Sequence, residues 1–150
     1  RFGNINATVI GGYDHPKVRL PGAGGSQEIA AWANRCYVMT PHQKRRFPAK
    51  VDFHTSAGFL NGRAERDATG VRGGGPQVIV TDLGLMEPDE TGELVLTAVH
   101  PGIQPEQAQA NTGWDLKVAP SLRVTAEVTD EELRILREEL DPNGIYLKGG

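Results

Sequence analysis

Residues 6–39 read NATVIGGYDHPKVRLPGAGGSQEIAAWANRCYVM, and the order of signals within them decides the class of fold. The apolar, β-branched run 6–10 ends at Gly11 and Gly12, the pattern of a short buried strand closed by residues with no side chain to pack. A long loop, 13–25, follows and is dense in functional groups. Ser26 stands where a helix cap belongs, and Ile29, Ala30, Trp32 and Ala33 behind it supply the apolar side of a short helix. Cys36, Tyr37, Val38 and Met39 then form a second compact apolar run, so the stretch reads as a strand, loop, helix, strand unit of βαβ type.

Outward from this unit, Pro41 stops the second strand because it has no N–H to give to a ladder. A polar, basic stretch, 42–50, precedes a third short run, 51–55. Residues 58–76 carry no periodicity, and Gly73, Gly74 and Gly75 inside them are either mobile or pinned by a neighbour. Residues 77–81 read as a central strand. Residues 85–87 and 93–99 flank Pro88-Asp89-Glu90-Thr91-Gly92, a polar turn with glycine where a hairpin needs it. Pro105 at a first helical position, followed by Glu106, begins a short helix that Gly113 ends. Thr129 with Glu132 forms a capping box, and Leu133, Leu136 and Leu140 recur at helical spacing, giving an amphipathic helix that stops before Pro142. Short buried strands mixed with helices predict an α/β fold, and the hairpin makes its sheet mixed.

A chain of 150 residues buries roughly 70% of the surface its unfolded form exposes, enough for one domain spanning 1–150. Its 19 glycines are nearly twice the usual level of about 7%, so backbone turns are heavily used. A net charge of -3 gives no general attraction for a phosphate polymer, which argues against a nucleic-acid partner. Cys36 is the only cysteine, which rules out an internal disulfide framework and fits a reducing, cytoplasmic compartment. No apolar run approaches the roughly 20 residues that span a bilayer, and the first residues are not a signal peptide. The chain opens on Arg1 inside what reads as a turn, so its natural start is expected upstream.

Among residues able to carry chemistry, Gly22, Ala23, Gly24 and Gly25 are the most informative. Glycines there let backbone N–H groups approach a ligand just before a helix N-terminus, a setting suited to an anion or a developing oxyanion. The competing reading is a tight turn that only enters a helix. Neither nucleotide fingerprint is present: the third glycine of a Rossmann motif is replaced by Gln27, and no Lys-Ser or Lys-Thr pair follows. His15, His42, His54 and His100 are spaced without a ligand pattern, so no structural metal is expected and each histidine is read as a packing or hydrogen-bonding residue. Asp14 and His15 with Ser26 or Ser56 do not make a triad, since neither serine sits in a nucleophile elbow. Cys36, inside an apolar run, is read as a buried inert thiol. Lys44, Arg45 and Arg46, beside His42, make a compact basic cluster that either meets phosphates or a partner's acidic residues, or is simply a solvated surface run. Arg63, Arg66 and Arg72 carry the same ambiguity. The glutamates 131, 132, 138 and 139 solvate the outer face of the last helix.

Read in order, Gly3-Asn4-Ile5-Asn6-Ala7-Thr8, Tyr13-Asp14-His15-Pro16-Lys17 and Gly22-Ala23-Gly24-Gly25 resemble the beta subunits of family I coenzyme A transferases of the glutaconate type. Lys44-Arg45-Arg46-Phe47, GPQVIVTD at 75–82, NTGWDL at 111–116 and EELDP at 138–142 continue the resemblance in register over nearly the whole chain. Each motif alone is moderately specific, but their occurrence in register over nearly the whole chain makes coincidence improbable. The resemblance implies an open α/β sheet, mostly parallel, with flanking helices. It also implies a partner alpha subunit, a hetero-oligomer, and an acyl-CoA thioester as substrate, with no permanently bound cofactor.

In the family's mechanism a glutamate attacks an acyl-CoA thioester to give an anhydride. Coenzyme A returns to form a glutamyl thioester, and an acceptor carboxylate then takes the coenzyme. The resemblance places that glutamate upstream of Arg1, in the amino-terminal part of the beta subunit, so no catalytic residue is expected within residues 1–150 and this chain alone is expected to be inactive. What carries over is the loop of Gly22, Ala23, Gly24 and Gly25, holding the thioester oxygen, with Asn4 and Asn6 as site support. The sequence departs from the family at Ser26-Gln27, where Ala-Asn is common, and in the loop 61–75, which bears on substrate choice. A transferase acting on a dicarboxylic or 3-oxo acid is the leading reading. A thioester hydrolase, carbon-carbon hydrolase or decarboxylase on the same fold, or a structural, partner-binding half, are the alternatives.

Overall fold

The structure is a computed structural model that describes residues 1–146. Near the start, β1 (Val9–Gly11) and β2 (Pro16–Arg19) form a two-stranded antiparallel hairpin, with Ile10 opposite Val18. The strand expected over 6–10 is shorter because the Asn6 carboxamide accepts the N–H groups of Thr8 and Val9, which turns residues 6–8 out of extended pairing. The loop expected over 13–25 holds β2, whose exposed Lys17, Val18 and Arg19 give no apolar pattern; only its pairing with β1 makes it a strand.

After α1 (Ser26–Trp32) comes β3 (Cys36–Met39), the first strand of a five-stranded sheet ordered β3-β4-β5-β6-β7. The elements that follow in sequence order are α2 (Arg63–Ala68), β4 (Pro76–Val80), β5 (Gly84–Pro88), β6 (Leu94–Val99), α3 (Pro105–Ala110) and β7 (Lys117–Val124). β3 pairs parallel with β4 and β6 parallel with β7, whereas β5 is antiparallel to both its neighbours. β5 alone runs against the other four, giving an open, mixed sheet with two parallel and two antiparallel pairings rather than the mostly parallel one expected. β1 and β3 lie in different sheets, so the stretch 6–39 is not a βαβ unit; β6, α3 and β7 are.

The hairpin of β5 and β6 forms as expected. Asp89 organises its turn, accepting the N–H of Thr91 at 2.9 Å and of Glu93 at 3.0 Å. Residues 51–55 are not a strand: Thr55 and Ser56 both donate their N–H to the Ile5 carbonyl, a single bridge with nothing to extend it. The core collects on one face of the sheet, where Ile79, Met86, Leu94, Leu96 and Val99 meet Ala108 of α3, Leu116 and Phe47. At the carboxyl end α4 (Asp130–Arg134) begins with the expected capping box. The Thr129 hydroxyl accepts the Glu132 N–H at 3.2 Å, and the Glu132 carboxylate accepts the Thr129 N–H at 2.8 Å. It continues as a wider π-helical segment, Ile135–Leu140, whose Leu136 and Leu140 are exposed. Cys36 is half-buried rather than buried, because its strand is an edge of the sheet.

Candidate functional site

The glycine loop is strapped to the amino-terminal segment before it reaches α1. The Leu20 N–H donates to the Thr8 carbonyl at 2.9 Å and the Gly22 N–H to the Ala7 carbonyl at 2.8 Å. Gly22 is thereby committed as a donor, and its φ of 97° and that of 54° at Gly24 are values that glycine adopts without strain. Gly25 is the cap residue of α1, not Ser26. The Ser26 hydroxyl instead lies 2.8 Å from that of Ser56. Among the described residues no acceptor takes the N–H groups of Ala23, Gly24 or Gly25, and a side chain at Gly22 or Gly24 would meet open space. Three adjacent N–H groups just before a short helix are thus left without a protein acceptor, which leaves them available to a ligand's negative charge.

Asn4 and Asn6 serve backbone, not an open site. The Asn4 carboxamide accepts the N–H groups of Gly58 (2.9 Å) and Leu60 (3.0 Å) and donates to the Leu60 carbonyl (2.7 Å). Leu60 is left-handed at a φ of 57°, a conformation that costs a non-glycine residue roughly 1–2 kcal/mol, and Asn4 holds both of its polar groups in place. Asn6 donates to the Val9 carbonyl and accepts two N–H groups in its own turn. Sequence reading proposed both as site support; the structure shows that their polar groups are spent on the backbone.

A cavity of about 800 Å³ collects several of the predicted residues. Val38, Ile79, Phe47 and Trp114 give it apolar walls, Leu20 and Pro21 bring the start of the glycine loop to its edge, and Arg45, Arg46 and Lys50 add positive charge. Asn4 and Asn6 also line it, whereas Gly22, Gly24 and Gly25 do not. The basic cluster is anchored by Phe47, which is buried and packs on the His42 ring at 4.5 Å and on Trp114 at 6.4 Å. Lys44, Arg45 and Arg46 are all exposed, and among the described residues none pairs with a carboxylate. The Trp114 indole N–H is buried without a partner among them.

Two histidines sit at the carboxyl ends of β3 and β6 and meet at Thr81, which follows β4. The buried His42 ring contacts the hydroxyls of Thr81 (3.2 Å) and Thr112 (3.0 Å). Both hydroxyls are tied to the backbone as well, that of Thr112 donating to the Ala108 carbonyl and that of Thr81 to the Gly84 carbonyl. Burial holds His42 below its ordinary pKa, while the Asp82 carboxylate partly opposes this. His100 bonds the Thr81 carbonyl and the Thr125 hydroxyl, each at 2.8 Å. Both act as hydrogen-bonding residues, as the sequence suggested. Among the described residues no group of three or more His, Cys, Asp or Glu side chains is arranged to hold a metal ion, and no helix is long and apolar enough to cross a membrane.

Sequence reading left Arg66 ambiguous between surface and site; the structure buries it at 3% exposure. Its guanidinium donates to four backbone carbonyls: Ala57 (3.0 Å), Gly58 (2.7 Å), Ala30 (2.9 Å) and Gly73 (2.9 Å). Gly73 and Gly74 are pinned, not mobile, since their N–H groups donate to Ala31 and Ala33 at 2.8 and 3.0 Å. Together these donors satisfy carbonyls at the carboxyl end of α1, groups that a helix terminus leaves without an internal partner.

An α/β fold with a mixed sheet is the architecture that the sequence predicted, and comparison with known proteins agrees. The model of the coenzyme A transferase family matches residues 1–111. The chain is 46% identical over 138 residues to the beta subunit of 3-oxoadipate CoA-transferase from Pseudomonas knackmussii, covering 91% of this chain and 53% of that protein. It is 40% identical over 149 residues to the beta subunit of glutaconate CoA-transferase from Acidaminococcus fermentans, covering 98% and 55% respectively. The crystal structure of glutaconate coenzyme A-transferase from the same organism superposes with a TM-score of 0.89 at 39% identity, over 97% of this chain and 56% of that one. The chain belongs to the coenzyme A transferase family. It spans about half the length of the curated relatives it matches.

Proposed function

We propose that residues 1–150 are one domain, the carboxy-terminal part of the beta subunit of a heteromeric CoA-transferase. In this reading the enzyme moves coenzyme A between an acyl-CoA and a dicarboxylic or 3-oxo acid. The observation that carries it is the run of three unengaged N–H groups, Ala23, Gly24 and Gly25, in an exposed loop that opens α1. The relatives support the choice of reaction and acid, since the two named above act on 3-oxoadipate and glutaconate, both dicarboxylates.

The chemistry asks little of this chain beyond charge stabilisation. A glutamate supplied from outside residues 1–150 attacks the thioester carbonyl, and collapse of the tetrahedral adduct expels the coenzyme A thiolate and leaves an anhydride. The thiolate attacks the glutamyl carbonyl and releases the donor acid as its carboxylate, which leaves the coenzyme on the glutamate. The acceptor carboxylate then attacks that thioester, and the thiolate returns to the acceptor's acyl carbon, freeing the glutamate. Each addition puts a negative charge on one oxygen, and the loop donors are built to receive it; one such donor is worth roughly a hundred- to a thousand-fold in rate.

Lys44, Arg45 and Arg46 supply unpaired positive charge for the phosphates of coenzyme A, the second carboxylate of the acid, or a partner's acidic surface. The alpha subunit and the amino-terminal part of the beta subunit complete the site, and the coenzyme A thioester enters as substrate with no permanently bound cofactor. A single cysteine fits a cytoplasmic setting.

The test is coenzyme A exchange between an acyl-CoA and a free dicarboxylic acid, measured with the complete beta subunit assembled with its alpha partner, alongside Gly24→Val. Exchange is expected in the parent and a loss of about a hundred-fold in the variant, with assembly intact by size-exclusion chromatography. Absence of exchange with every acid tried, or hydrolysis of the thioester in its place, removes the transferase reading. Lost assembly with unchanged turnover in what does assemble removes the oxyanion role.

A further inference from the structure

Arg66 is a cation taken out of water without a counter-ion. It is 3% exposed, and among the described residues no carboxylate lies within ion-pair distance of it. Burying a charge is costly unless every donor is satisfied. Here both terminal nitrogens are used twice, and all four acceptors are main-chain carbonyls. Those carbonyls belong to three segments distant in sequence: Ala30 in α1, Ala57 and Gly58 in the turn after residue 56, and Gly73 in the triple-glycine loop. A lysine ammonium is a compact charge and lacks the planar fork that can reach three segments at once.

The same turn touches α1 at its other end. Ser56, next to Ala57 and 1% exposed, pairs its hydroxyl with that of Ser26 at 2.8 Å. The helix is thus gripped at its first residue by Ser56 and near its last turn by Arg66, and both grips run through residues 56–58. Gly25, whose N–H is one of the three without an acceptor among the described residues, immediately precedes Ser26. A shift of the helix along its axis would carry those donors with it, and an oxyanion donor works only when placed within a few tenths of an ångström of the developing charge.

We infer that Arg66, acting with Ser56, is a positioning residue for the Ala23–Gly25 donors: it fixes α1 so that the loop meets the reacting oxygen. The inference rests on the oxyanion reading of the loop given above. It assigns Arg66 no contact with substrate.

The experiment uses the assembled enzyme and compares Arg66→Lys, Ser56→Ala and Gly24→Val by steady-state kinetics with an acyl-CoA donor. Arg66→Lys is expected to lower kcat about ten- to a hundred-fold while KM for the acyl-CoA changes little, because transition-state alignment and not ground-state binding is lost. Ser56→Ala, nearly isosteric, is expected to lower kcat about fivefold, the equivalent of one neutral hydrogen bond. Addition of guanidinium to Arg66→Ala is expected to restore part of its kcat. Parent kcat in assembled Arg66→Lys, with Gly24→Val defective, overturns the inference and leaves the loop reading standing. If Arg66→Lys does not assemble, Ser56→Ala decides: unchanged kcat there overturns the inference as well. If Gly24→Val itself keeps full turnover, it is the underlying loop reading that falls.

Discussion

Replacing Gly73 by alanine tests how α1 is terminated. A methyl group built on Gly73 would stand 2.6 Å from the carbonyl oxygen of Ala31 and 2.8 Å from that of Ala33, both of them backbone, which cannot swing aside as a flexible side chain could. Real carbon–oxygen contacts lie nearer to about 3.3 Å, so the glycine loop must withdraw from the helix end by several tenths of an ångström. The N–H bonds of Gly73 to Ala31 at 2.8 Å and of Gly74 to Ala33 at 3.0 Å are then stretched toward breaking. Two net backbone bonds are worth about 1 kcal/mol each, and the overpacking itself costs roughly 1–3 kcal/mol. Partial relaxation trades one against the other, so a destabilisation of about 2–4 kcal/mol is expected.

Gly70→Ala is the matching control. Its φ of 72° brings backbone strain, but nothing lies near the added methyl, so the cost should stay at roughly 1–2 kcal/mol. Hydrogen exchange read by mass spectrometry on peptides covering 26–34 checks the local effect, and chemical denaturation checks the global one. Exchange of the α1 amides should rise in Gly73→Ala and not in Gly70→Ala. Protection of α1 equal to the parent, with a denaturation midpoint also unchanged, would refute the idea that the glycine loop holds the helix.

Two further perturbations bear on the core and its titration. Phe59 is fully buried, lies against the backbone at Gly75 and Gly92, and carries the Arg63 guanidinium 4.5 Å above its ring; Phe59→Ala should cost about 3–5 kcal/mol in a denaturation titration, and a loss under about 1 kcal/mol would mean that the site collapses to fill the space. Burial holds His42 below its ordinary pKa, so its stabilising contribution is complete above the unfolded value of about 6.5 and is lost as the pH falls through the lower folded-state value. Melting temperatures taken between pH 8 and 5 should therefore fall more gently for His42→Gln than for the parent over the acid part of the range, and parallel curves would show that His42 does not couple folding to protonation.

Much of the fold was legible because its signals are local. The hairpin of β5 and β6 announces itself through a polar turn ending in Gly92, α3 through Pro105, and α4 through Thr129 and Glu132, whose side chains answer each other across one helical turn. The β1–β2 hairpin was not legible, since Lys17, Val18 and Arg19 are exposed and carry no alternation; a strand partner alone defines them. Nor was α2 legible, since its RAERDA sequence has no apolar stripe and its one buried side chain is the arginine.

The site divides along the same line. Sequence alone determined the glycine loop, the basic cluster and the family to which they belong, because left-handed turns, clustered cations and motif order are properties of consecutive residues. Which N–H groups of the loop remain free, why Asn4 is tied to Leu60, and what Arg66 does were decided only by tertiary structure. Gly22 reaches Ala7 15 residues away, Asn4 reaches Leu60 56 away and Arg66 reaches Ala30 36 away, and a hydrogen bond between segments so far apart exists only once the fold has brought them together.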